Sequence, residues 1–99
     1  MDIEDWRSEI DAIDMELLGL LNIRARLAIA VGALKRTACL PLCDLQREAK
    51  VLEHVRGANS GPLDDETVAK LFRHIINASR HAERSSYEEV SSAPGEIAL

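Results

Sequence analysis

The sequence predicts an all-α fold: three helices per chain, the first very long, assembled as a helical homodimer. Three observations predict it. Apolar residues recur at 3-4 spacing along most of the chain, and the period-two alternation of strands is absent. Two breaks, one at Pro41 and one across Gly57, Asn59, Ser60, Gly61 and Pro62, divide the periodic region into three. The first segment is too long for a compact chain of 99 residues. About 34 helical residues span roughly 50 Å, whereas a compact domain of this size has a radius of gyration of about 13 Å.

Helix 1 opens on Asp2 as N-cap, with Met1 and Trp6 spaced as a hydrophobic staple. It continues without proline to Arg36; Gly19 and Gly32 weaken it but do not break it as proline would. Its stripe is Ile3, Trp6, Ile10, Ile13, Leu17, Leu20, Arg24, Leu27, Val31 and Leu34, a seam of about five heptads. Leu18 and Leu21 widen it to a second face in the middle. Two short helices cannot cover such a seam, so a second chain is expected to. The alternative is a monomeric hairpin with a kinked first helix. Leu40 precedes Pro41 and is pushed toward an extended conformation. Asp44 caps helix 2, Leu45 to Arg56. Asp64 caps helix 3, with Leu63 and Val68 as a second staple, and that helix is expected to end near Arg84. From Ser85 to Gly95 no periodicity remains. The expected division is therefore a helical domain over 1–85 and a disordered tail over 86–99.

Composition narrows the function. Hydrophobic residues make up 46% and charged residues 29%, which fits a folded chain rather than a disordered one. A net charge of -5 argues against a nucleic-acid binder, and only Trp6, Phe72 and Tyr87 offer stacking surfaces. No apolar run is expected to reach the ~20 residues of a membrane span, and no signal peptide is recognised. Cys39 and Cys43 make no disulfide framework, which points to a reducing, cytoplasmic compartment. They lie four apart, and His54, His74 and His81 are scattered, so no zinc pattern emerges and no metal or cofactor is expected. There is no Ser/His/Asp triad spacing and no Gly-rich phosphate loop.

The apolar stripes are interrupted by polar residues in all three helices. Arg24 sits in the seam of helix 1. Glu48 falls on the core-facing row Leu45, Glu48, Leu52, Val55 of helix 2. Ser79 and Glu83 continue the row of Val68, Phe72, Ile75 and Ile76 in helix 3. Each has a bland reading: a register-setting arginine, a rim salt bridge, a fraying helix end. Together they are better explained by one polar pocket between facing helices. Arg24 and Lys35 are 11 residues apart, hence within about 20° of each other and roughly 16 Å apart along the axis. Their side chains can lean inward and clamp a small anion. Arg7 lies 17 residues from Arg24, about 25 Å along a rigid helix, and cannot share that pocket within one chain unless the helix folds back; from an antiparallel partner chain it can reach it. Arg47, beside Glu48, reads equally well as a pocket residue or a solvated surface charge. Arginine forks suit carboxylates, so the expected ligand is a small multi-carboxylate.

Residues Trp6-Arg7 through Ile13-Asp14, Leu17-Leu18, Leu20-Leu21, Arg24, Leu27-Ala28 and Lys35 open an ordered set. Pro41, Asp44, Arg47-Glu48, Val51-Leu52, Leu71-Phe72, Ile75-Ile76 and Ser79 complete it. From about Ile3 to Glu83 this set resembles the chorismate mutases of the all-helical AroQ class. The resemblance implies an intertwined homodimer with two active sites, and an isomerase that converts chorismate to prephenate by a [3,3] rearrangement. It implies that Arg7 is donated by the neighbouring chain to a substrate carboxylate, and that Arg24 binds the other carboxylate region. Lys35 then reaches a carboxylate and the ether oxygen, Asp44 and Glu48 surround the ring hydroxyl, Arg47 supports the site edge, and Ser79 lies near the ligand. Glu83 departs from the best-known bacterial pattern, where a glutamine amide donates to the ether oxygen. An ionised carboxylate cannot donate, so Glu83 must be protonated to help. Two other readings stay open: an isochorismate-pyruvate lyase with a similar pocket, and a weakly active helical module that mainly binds another shikimate-pathway enzyme.

Overall fold

The structure, a computed structural model, describes residues 1–91. It consists of α1 (Ile3–Thr37), α2 (Leu45–Ala58) and α3 (Asp65–Ser91). Each start is set by a local cap. The Asp5 N–H donates to Asp2 Oδ1 at 3.0 Å and the Asp2 N–H donates to Asp5 Oδ2 at 2.9 Å, a reciprocal capping box. Asp44 Oδ1 accepts from the Arg47 N–H at 3.0 Å, and Asp64 Oδ1 accepts from the Thr67 N–H at 2.7 Å. The bonds from Thr67 hold the Asp64 carboxyl below its ordinary value, because they favour the charged form. Met1 and Trp6, spaced as a staple, stay largely exposed.

α1 runs unbroken for 35 residues through both Gly19 and Gly32, so the kinked hairpin is not formed. It ends in a tight reversal. Cys39 takes a left-handed backbone with φ 57. Its N–H donates to the Arg36 carbonyl at 3.0 Å, and the Leu40 N–H donates to the Lys35 carbonyl at 2.7 Å. These are the two bonds of a Schellman motif, here with a cysteine where glycine is usual. Pro41 follows and prevents the helix from resuming.

α3 is the central element, because it packs against both α1 and α2. The assembly is elongated, 63 × 32 × 15 Å with a radius of gyration of 17.8 Å. Burial is sparse. Ala69 and Ser79 are buried on α3, and Gly32 on α1. The N-terminal seam residues Ile3, Trp6, Ile10, Ile13, Leu17 and Leu20 are all half or more exposed.

Two expectations need correction. α3 does not stop at Arg84 but continues to Ser91. The cause is tertiary. The Arg36 guanidinium lies over the Tyr87 ring, 4.3 Å from its centre, and donates to the Glu83 carbonyl at 3.0 Å, which fastens this turn to the end of α1. The rest of the expected tail, 92–99, lies outside the described residues. Second, α1 contains an 18-residue window of mean hydropathy 1.7, long and apolar enough by length and composition to cross a membrane. The heptad seam and the second face at Leu18 and Leu21 together make much of the circumference apolar. The seam of a helical assembly satisfies the same measure.

Candidate active site

One cleft of ≈ 260 Å³ lies between the three helices, and four segments wall it. α1 contributes Arg24, Leu27, Ala28, Val31 and Lys35. Spacings of 3, 1, 3 and 4 put these five on one helical face. The α1–α2 loop contributes Leu42 and Asp44. α2 contributes Arg47, Glu48 and Val51, and α3 contributes Ile76, Ser79, Arg80 and Glu83. The lining is mixed, apolar side chains interspersed with charged ones.

Three polar contacts fix the walls. Arg24 Nη1 donates to Ser79 Oγ at 2.7 Å, joining α1 to α3. Lys35 Nζ donates to the Leu42 carbonyl at 3.2 Å, holding the loop over the end of α1. Arg80 pairs with Glu48, joining α3 to α2; both side chains are 23% exposed. Partial burial matters here. A charge pair shielded from solvent is screened far less than one on the surface. The Schellman turn at Cys39 is what brings Leu42 back to Lys35 and Asp44 to the mouth of the cleft. The Asp44 carboxylate therefore has two places in the structure, capping α2 and lining the site.

Of the eight residues singled out in the sequence, seven line this cleft: Arg24, Lys35, Asp44, Arg47, Glu48, Ser79 and Glu83. Arg7 does not. It stands on the first turns of α1, 66% exposed, paired with Glu4 at 2.8 Å. Arg80 was not anticipated. Its signal is positional: it lies four residues after Ile76 and three before Glu83, on the same face of α3. A search for breaks in an apolar row passes over a charge that merely flanks the row. His54, His74 and His81 are exposed.

The cleft holds four cations, Arg24, Lys35, Arg47 and Arg80, against three carboxylates. That balance is positive in a chain whose net charge is -5. Local cations decide the field in a cleft whatever the overall sign. Such a site suits a small anion bearing carboxylates and a hydroxyl, oriented by guanidinium forks on one side and an acceptor on the other.

Comparison with known proteins agrees with this geometry. Residues 6–84 match the family model for chorismate mutase type II. A bifunctional chorismate mutase/prephenate dehydratase of Neisseria gonorrhoeae is 45% identical over 78 residues, covering 79% of this chain and 21% of that protein. The chain spans about a fifth of the length of the curated relatives it matches. Chorismate mutase form II of Thermus thermophilus superposes with a TM-score of 0.81 at 39% identity, over 83% of this chain and 93% of that one. A chorismate mutase of Helicobacter pylori, solved in complex with prephenate, gives a TM-score of 0.81 at 26% identity, over 88% and 94%. The matched region contains every wall of the cleft, and the chain belongs to the chorismate mutase type II family.

Proposed function

We propose that this chain is a chorismate mutase, an isomerase that converts chorismate to prephenate by an intramolecular [3,3] rearrangement. One observation carries the reading: seven residues expected from the resemblance converge on a single cationic cleft in a chain of this family. The reaction breaks a C–O bond as a C–C bond forms within one molecule. It needs no acid, base, nucleophile or metal. The protein can accelerate it in two ways. It can hold the folded conformer in which the reacting carbons are adjacent. It can also place donors where charge builds on the ether oxygen.

Arg24, steadied by Ser79, takes one carboxylate. Lys35 gives up its bond to the Leu42 carbonyl and donates to a carboxylate and the ether oxygen. Glu48, anchored by Arg80, accepts from the ring hydroxyl. Asp44 lies near the same hydroxyl and Arg47 supports the edge. Glu83 stands by the ether oxygen and helps only when protonated.

The site is completed by a second copy of the chain in an intertwined, cytoplasmic homodimer. The exposed seam of α1 supports this reading, since a run of half-exposed Ile, Leu and Trp is costly in water. So does Arg7, which lies outside its own cleft on the exposed first turns of α1, pairs there only with Glu4, and serves the partner's cleft. Residues 1–85 carry the functional unit.

The test is loss of chorismate and appearance of prephenate, from about pH 5 to about pH 8. Turnover that falls as pH rises, with the fall removed in Glu83→Gln, assigns Glu83 as a protonated donor. A flat profile keeps the mutase and removes that role. A folded assembly that makes no prephenate overturns the reading, and pyruvate released from isochorismate would mark a lyase instead.

A further inference from the structure

We infer that Gly32 is a positioning residue for Glu83: the bare backbone at this point of α1 determines where the Glu83 carboxyl stands in the cleft. The inference rests on the mutase reading, which puts that carboxyl beside the breaking ether bond. Gly32 is the one buried residue of α1. A glycine inside a helix costs stability relative to alanine, and at position 32, unlike positions 19 and 57, a close approach stands against that cost. A β-carbon at position 32 would lie 3.2 Å from Glu83 Oε2 and 3.4 Å from its Cδ and Cγ. These contacts are tighter than the roughly 3.5–4.0 Å of an ordinary non-bonded pair. They fall on the carboxyl group and its stem, not on the backbone of α3.

One turn further along α1, Arg36 donates to the backbone carbonyl of Glu83 at 3.0 Å and covers Tyr87. Glu83 is thus held from two points on one face of α1. Arg36 pins its main chain, and Gly32 gives its carboxyl a surface to lie on. With the main chain pinned, a methyl group at 32 is met by the carboxyl swinging aside. Gly57 offers the contrast, because a β-carbon there would meet nothing within 4 Å.

The experiment is steady-state kinetics on chorismate with the full chain and four variants: Gly32→Ala, Gly57→Ala, Glu83→Ala and the double variant Gly32→Ala/Glu83→Ala. Gly57→Ala keeps full turnover. Gly32→Ala keeps its helical circular dichroism and melts no lower, yet kcat falls about tenfold with KM within about twofold. In the Glu83→Ala background the same methyl costs nothing further, because no carboxyl remains for it to displace. Undiminished kcat in Gly32→Ala overturns the inference. So does a double variant slower than Glu83→Ala alone, since Gly32 would then act by packing rather than through Glu83. If Gly32→Ala fails to fold alone, the double variant decides by the same criterion. An unmutated chain that does not turn over chorismate sinks the functional reading and this inference together. That outcome is distinct from an active chain that tolerates the methyl.

Discussion

From Ile3 to Ile23 every residue of α1 is exposed, whereas from Arg24 onward the same helix presents a shielded row at Arg24, Ala28, Gly32 and Arg36. Both halves follow the same 3-4 spacing. Their difference lies in what faces them. The C-terminal half meets α3, and three of its cations are engaged: Arg24 with Ser79, Lys35 with Leu42, Arg36 with Glu83. In the N-terminal half Leu18, Leu21 and Asn22 border α3 across a hollow shared with His74, Ile75 and Ala78, while Ile3 to Leu17 stay exposed, and its one arginine, Arg7, pairs only with a neighbouring glutamate. An apolar row tells that a surface will be covered. It does not tell by which chain.

The largest loss is expected in the C-terminal half. Arg24→Ala should lower kcat/KM at least about a hundredfold while leaving a folded assembly, as judged by circular dichroism and sedimentation. Retained activity would mean that the cleft is not the site. The N-terminal half is tested next. Ile13→Glu places a charge on the exposed seam, and burial of an unpaired charge is costly. Sedimentation should show this variant as a monomer at micromolar concentration, with turnover lost in parallel. An unchanged assembly would show that the seam is not an interface.

A third experiment joins the two halves. Arg7→Ala and Arg24→Ala, each inactive alone, should regain about a quarter of normal turnover when mixed and allowed to exchange subunits. In a two-fold dimer, half the random pairs are mixed, and one of their two sites is rebuilt. No recovery despite proven exchange would confine each site to one chain. The smallest effect is expected from a control outside α1. Asp64→Ala removes the cap of α3 and should lower Tm by a few degrees with kcat unchanged. The sign with pH follows from its lowered pKa. The cap contributes fully above the ordinary value of 3.8 and is lost as pH falls through the lower folded value, so wild type and variant should converge in acid.

What the sequence made legible was mostly local. The three aspartate caps depend on residues within one turn, and each formed where the composition called for it. The cleft residues of α1 and α3 were legible because a polar group in an apolar row must face something polar. What stayed hidden depends on distant partners. Ser85 and Ser86 look like the end of a helix, yet Arg36, far away in sequence, holds Tyr87 and the helix continues. Arg80 sits beside its row rather than in it. Gly32 reads as a weak point in α1 until Glu83 is seen lying on it. The left-handed turn at Cys39 lacks the glycine that would have announced it.

The central place of α3 has a mechanical consequence. Ser79 is tied to one wall and the next residue, Arg80, to the other. A slide or rotation of α3 large enough to free Arg24 must therefore also disturb the pair with Glu48. The cleft is coupled across α3. Its two sides loosen or tighten as a unit, because packed interfaces switch between discrete arrangements rather than deform gradually. A ligand gripping only one side still stiffens both.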